Sequence, residues 1–219
     1  MDIFSFLLHL LEDPLLTLQD FLTHYHALTY FVVALIIFVE TGLIVMPILP
    51  GDSLLFAVGL LASSTGQLEI SIIIPLLISA ALLGDNVNYY VGKNFSRLIR
   101  KRERILFFKR EYLVETEQFY KRHGGKAVIV ARFVPIVRTV APFVAGAGNM
   151  KYSRYIVYCI LGAILWVTSL TLAGYFLGTN EWVRGHFEKI VLGIVFVSFL
   201  PMIVHFVQSK LSSGKNAAL

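Results

Sequence analysis

Between Tyr155 and Gly178 the chain runs 24 residues without a charged side chain, and between Ile190 and Gln208 another 19. A helix that crosses a bilayer needs roughly 20 predominantly apolar residues, so each run is predicted to be a span. Ile70 to Gly92 is a third, with a polar second half holding Asp85, Asn86 and Asn88. With 57% of residues hydrophobic and only 15% charged, against about a quarter charged in ordinary soluble chains, a soluble globular domain is excluded. The single cysteine, Cys159, lies inside an apolar run, so no disulfide framework or thiolate metal site is expected. The N-terminus has no basic n-region of the kind a secretory signal needs.

Two more apolar regions are interrupted. Residues 30–63 contain Glu40, Pro47, Pro50, Gly51 and Asp52 midway, and residues 127–150 contain Arg132, Pro135, Arg138, Pro142, Gly146, Gly148 and Asn149. Proline removes an amide donor and collides with the preceding turn. Non-helical backbone at membrane depth persists only where protein or a wet cavity surrounds it. Each region is therefore predicted to be a broken helix or a re-entrant hairpin.

Charge fixes the orientation. Residues 1–92 contain eight acids and no Lys or Arg, while residues 93–219 hold all 19 basic groups against six acids. Apolar stretches surround most of the basic residues and no nucleic-acid motif is present, so the asymmetry reads as topology, with no nucleic-acid partner. Segment 93–126 carries 11 Lys/Arg and is placed in the cytoplasm, where it would lie on the membrane surface. Lys151 and Arg154 belong on the same side, which requires 127–150 to enter and return. Span 155–178 then leads out, span 190–208 leads back, and the C-terminus is cytoplasmic. In the first half, hairpin 30–63 enters from outside and span 70–92 runs inward. Residues 1–27 show helical spacing at Phe4, Leu7, Leu8, Leu11, Leu15, Leu18 and Leu22 and are predicted to form an external interfacial helix, the alternative being a further span.

A faint internal repeat supports a single membrane domain over 1–219. Phe56-Ala-Val-Gly59 matches Phe143-Val-Ala-Gly146, and Tyr89-Tyr-Val-Gly92 matches Tyr175-Phe-Leu-Gly178. Units 30–92 and 127–178 each read as a broken hairpin followed by a span, and their spans run in opposite directions. Inverted repeats with Pro/Gly-interrupted segments in corresponding positions point to a transporter whose site lies between the repeats. The predicted fold is thus all-α and integral to the membrane, with two facing hairpins, about three spans and an interfacial helix.

Four ionisable groups lie in these hairpins: Glu40 and Asp52 in one, Arg132 and Arg138 in the other. Charges at the bilayer centre are costly and normally face a partner or a pathway. Facing tips could pair them, either as static links or as a working site. Guanidinium offers a planar fork that matches phosphate oxygens, and a desolvated carboxyl can take up a proton near neutral pH. Arg132 and Arg138 are therefore candidate phosphate ligands, and Glu40 and Asp52 candidate proton-coupling groups. Ser53, Thr139 and Asp85 are secondary candidates, although Asp85 with Asn86 and Asn88 reads first as a polar cluster at a span's cytoplasmic end. The six histidines show no metal-ligand spacing, so neither metal nor cofactor is expected.

At these residues the chain resembles a known family. Glu40-Thr-Gly-Leu43, Pro50-Gly-Asp-Ser-Leu-Leu55, Gly84-Asp85 with Tyr89 and Gly92, His123-Gly-Gly125, Ala131-Arg-Phe-Val-Pro-Ile-Val-Arg-Thr139 and Ala141-Pro-Phe-Val-Ala-Gly146 look like the DedA family, also called SNARE-associated or VTT-domain proteins. The resemblance covers nearly the whole chain. It implies a bacterial inner-membrane protein with two facing re-entrant hairpins, linked to lipid translocation, notably of undecaprenyl phosphate, to the proton motive force and to envelope integrity. It also implies that Glu40, Asp52, Arg132 and Arg138 are the essential acids and arginines.

The leading function is a non-enzymatic lipid carrier whose partners are a phosphate-bearing lipid, undecaprenyl phosphate or a phospholipid, together with protons. Proton-coupled cation or drug antiport and general phospholipid scrambling are the alternatives. A lipid phosphatase using phosphohistidine would lack its nucleophile, since neither hairpin contains a histidine. A purely structural factor would make buried arginines a costly choice. Lipid selectivity and assembly state stay open at this level, a homodimer included.

Overall fold

The computed structural model describes His9 and residues 14–43, 51–101, 104–105, 108–109, 124–186, 189–190 and 193. The first part of the 1–27 helix, the prolines at 47 and 50, the stretch 110–123 and most of the 190–208 span lie outside the described residues. The chain is built from helices: α1 (Pro14–His24), α2 (His26–Gly42), α3 (Gly51–Thr65), α4 (Ile70–Lys101), α5 (Lys126–Ala131), α6 (Pro135–Ala147), α7 (Tyr152–Leu177) and α8 (Glu181–Gly185). A two-residue antiparallel ladder, β1 (Arg104–Ile105) with β2 (Phe108–Lys109), follows α4.

Helices α4 and α7 are long and apolar enough to cross a membrane. Their outward faces carry Ile72, Leu83, Val87 and Val91 on α4 and Val157, Ile160, Leu161, Ile164 and Leu165 on α7, all exposed. Apolar surface on that scale has no place in water. Tyr152 lies against Tyr89 and Tyr90, Tyr155 stacks on Tyr89 and donates to Asp85 O, and Cys159 meets Asp85. The numbering falls on one helix as it rises on the other, so α4 and α7 run antiparallel.

The interrupted regions are broken helices. Helix α2 ends at Gly42, with Leu43 extended, and α3 starts at Gly51. In the second region the break falls at 132–134, because Val134 precedes a proline and is extended (φ −111°, ψ 112°), and Pro135 opens α6 at its first position. Arg132 thus sits at the break itself, capping α5, while Arg138 sits one turn inside α6.

Packing follows a crossed pattern. Helix α2 packs on α4 and α5 on α7, each within its own unit, whereas α3 packs on α7 and α6 on α4, across units. The crossings use the repeated Phe-x-x-Gly motif. A Cβ at Gly59 would strike Thr171 O and one at Gly174 would strike Phe56 O; likewise Gly146 faces Tyr89 O and Gly92 faces Phe143 O. Only glycine lets these backbones approach so closely. Gly92 thereby corresponds in contact to Gly174, one helical turn from the Gly178 that sequence matching pairs with it.

Among the described residues two apolar cores result. The larger joins α1, α2, α3, the first half of α4 and Trp166 and Val167 of α7, and the smaller joins Tyr89, Val128, Ala145, Met150, Tyr155 and Cys159. The leucine stripe of α1 is buried in the larger core: Leu15, Leu18 and Leu22 cover α3, so this part of the N-terminal helix spends its apolar face on protein.

Candidate functional site

Where the two cores meet, charged side chains from five segments converge. Arg138 of α6 donates through Nη1 to Asp52 Oδ1 and through Nη2 to Glu40 Oε1. Its fork therefore bridges the end of α2 and the first turn of α3. Asp52 lies in the first turn of α3, where the helix dipole favours a negative charge. Glu40 is 1% exposed, Asp52 8% and the Arg138 side chain 9%, so the cluster is closed off by protein. Trp166 of α7 completes it: its Nε1 donates to Asp52 Oδ1 at 2.8 Å, and its ring lies 4.8 Å from the Arg138 guanidinium carbon. A cation over an indole face is held by the ring quadrupole.

Arg132 goes elsewhere. Its Nη2 donates to Asp85 Oδ2 on α4, and its Nη1 to Cys159 O at 3.3 Å. Cys159 Sγ donates to the same Asp85 oxygen at 3.3 Å, and Arg132 is also close to Trp166, 5.6 Å from its ring centre. Both residues of this pair are buried, Arg132 at 6% and Asp85 at 2% exposure. The two arginines thus flank one indole and hold separate acids.

Of the residues singled out in the sequence, Glu40, Asp52 and Arg138 come together, and Arg132 stands next to them with Asp85. Asp85 sits in mid-helix, because α4 continues nine residues past Gly92 to Lys101. Asn88, from the same polar cluster, is fully buried and donates from Nδ2 to Thr139 O at 2.6 Å and Thr41 O at 3.2 Å, tying α4 to α6 and α2. Asn86 stays nearer the surface, accepting from Tyr152 Oη at 2.8 Å. Ser53 is buried beside Asp52 on α3, and Thr139 is buried next to Arg138. Trp166 and Cys159 carry no signal as site residues in the sequence: an uncharged aromatic and a thiol in an apolar run look like packing. Among the described residues, no group of three or more His, Cys, Asp or Glu is placed to hold a metal ion.

A helical chain with two long apolar helices and buried acid–arginine clusters between broken ones is a membrane protein of the VTT-domain class. Residues 49–176, more than half of the chain, match the VTT domain, and the chain belongs to the DedA/VTT family. It is 43% identical over 218 residues to protein DedA of Escherichia coli (strain K12), covering 99% of this chain and all of that protein. An uncharacterized membrane protein of Mycobacterium leprae is 46% identical over 169 residues, 77% of this chain and 75% of that one. Inner membrane protein YqjA of E. coli is 34% identical over 149 residues, 68% of this chain and 67% of that protein. No solved structure matches significantly.

Proposed function

We propose that the protein moves a phosphate-bearing lipid, with undecaprenyl phosphate the leading candidate, between the leaflets of the bacterial inner membrane, coupled to protons at Glu40 and Asp52. The observation that carries this is the double pairing of Arg138, whose two terminal nitrogens are held by one carboxylate each. A fork so placed fits two phosphate oxygens as well as it fits two carboxylate oxygens. Carboxylate and phosphate therefore compete for one guanidinium. Protonation of Glu40 or Asp52 withdraws the competitor and lets phosphate in, and loss of the proton restores the carboxylate and expels the phosphate. No covalent bond is made or broken.

The same reading gives the membrane architecture. With a rise of about 1.5 Å per residue, α3 and α6 reach only about 20 Å, short of a hydrocarbon core about 30 Å thick. Pairs α2–α3 and α5–α6 are accordingly taken as re-entrant hairpins, entering from opposite faces as an inverted repeat. The crossed packing and the antiparallel α4 and α7 support this. Lys151 and Arg154, at the start of α7, favour a cytoplasmic position for that end, and a return through 190–208 would bring the C-terminus to the same side.

Proteoliposomes enclosing a pH-sensitive dye test the coupling. Protons should enter on acidifying the outside only when undecaprenyl phosphate is present. Proton movement driven by sodium or ethidium, with no effect of the lipid, would replace this reading with cation or drug antiport.

A further inference from the structure

We propose that Arg132 and Asp85 form a second anion-binding station, and that Trp166 is the positioning residue beside which a lipid phosphate passes between it and the Arg138 station. This deepens the lipid-carrier reading and rests on it. The two stations repeat one design. At each, a buried guanidinium is occupied by a buried carboxylate from a different helix, and at each the guanidinium lies next to the Trp166 ring, at 4.8 Å for Arg138 and 5.6 Å for Arg132.

The stations differ in how firmly the acid is anchored. Asp52 is fixed by the Trp166 Nε1–H, whereas Asp85 is fixed by the Cys159 thiol and lies over the Tyr155 hydroxyl, which donates to its backbone carbonyl at 3.1 Å. They also differ in level. Asp85 meets Cys159, nearer the end of α7 that carries Tyr152 and Tyr155, while Asp52 meets Trp166, about two turns further along that helix. A phosphate leaving Arg138 toward the Tyr152 end meets Arg132 next. Asp85 is then the group that must yield before Arg132 can accept it. A structural ion pair needs no such sharing of one indole by two carboxylate-paired arginines.

Trp166 is also the natural probe. The chain has two tryptophans, and the other, Trp182, is 64% exposed, so a Trp182→Phe background leaves Trp166 as the only indole. In nanodiscs, undecaprenyl phosphate should quench or shift Trp166 emission in a saturable way, with undecaprenol as the control lacking phosphate. Asp85→Asn removes the competing charge at the second station and keeps an acceptor for Cys159. It should tighten binding by about tenfold, the scale of one charge-assisted hydrogen bond, while slowing leaflet exchange, because the phosphate is no longer displaced from Arg132. Adding Arg132→Gln should abolish the gain. Asp85→Ser, smaller and neutral, serves as a second variant and should behave the same way.

If wild type binds and exchanges the lipid while both Asp85 variants bind it with unchanged affinity, the second station is refuted and the carrier reading stands. If wild type gives the same response with undecaprenol as with undecaprenyl phosphate, both fall together.

Discussion

Replacing Arg138 separates what the charge cluster does for stability from what it does for transport. In Arg138→Met, Glu40 and Asp52 stay buried but lose their shared cation. Removing one partner of a buried ion pair costs about 3–5 kcal/mol, and losing the contact with Trp166 adds about 0.5–2 kcal/mol. At about 2–4 °C per kcal/mol for a chain of this size, melting should fall by about 10 °C or more. Adding Glu40→Gln and Asp52→Asn removes the stranded charges, and the carboxamide oxygen at position 52 can still accept from Trp166 Nε1. Neutral, well-packed replacements of buried ion pairs are often neutral or stabilising. The triple variant should therefore recover to within about 1–2 kcal/mol of wild type. Lipid exchange should not recover, since neither the phosphate fork nor the proton acceptors remain. Thermal unfolding in detergent and lipid exchange in proteoliposomes, run on one preparation, read the two properties separately. If stability and exchange return together in the triple variant, the cluster is a structural clamp and the transport argument built on it is wrong.

Competition at Arg138 also fixes the sign of the pH response: protonation of Glu40 as the pH falls should strengthen binding of the phosphate lipid, while Glu40→Gln should bind tightly with a flattened pH dependence, as followed by Trp166 emission in the Trp182→Phe background. Helix crossings should tolerate no side chain. Gly59→Val or Gly146→Val would press on backbone carbonyls of the opposite helix and should lower stability by about 1–3 kcal/mol or more in thermal unfolding. By contrast Gly66→Ala, with φ +65° but open space around it, should cost only about 1 kcal/mol. Re-entrance of α5–α6 can be read by labelling single cysteines in a Cys159→Ala background. Cysteines replacing Gly124 and Lys151 should react with an impermeant reagent from the same, cytoplasmic side, and reaction from opposite sides would mean that the segment crosses.

Much of this arrangement is legible in the sequence because membranes impose simple rules. An uncharged run marks α7 and a long apolar stretch with a single acid marks α4, and the prolines and buried charges mark the interrupted regions. Glu40, Asp52, Arg132 and Arg138 stand out because a charge in an apolar run needs a reason. What stays hidden is pairing. Nothing in the sequence says that Arg138 takes both hairpin acids while Arg132 turns to Asp85, since that depends on the break at 132–134 and on which helix each limb crosses. Asp85 reads in the sequence as part of a polar cluster at a span's end, and its place in mid-helix is not legible there, because α4 runs on through Lys93 and Arg97 to Lys101 and Lys and Arg are good helix formers. Trp166 is invisible for a different reason: its role lies in the indole N–H and ring face, and an apolar run gives no clue to what either one meets. The one-turn offset between Gly92 and Gly174 shows the same limit, because short matches fix the kind of contact and not its register.

Arg138 and its two acids are proposed to move a lipid phosphate across the bilayer. Purified protein in liposomes, with labelled undecaprenyl phosphate in one leaflet, tests it most directly when leaflet exchange is followed with and without a pH gradient and compared with labelled phosphatidylethanolamine. Exchange of undecaprenyl phosphate well above protein-free vesicles, accelerated by the gradient and lost in Arg138→Lys, is the result predicted. Exchange no faster than in protein-free vesicles for either lipid would contradict it.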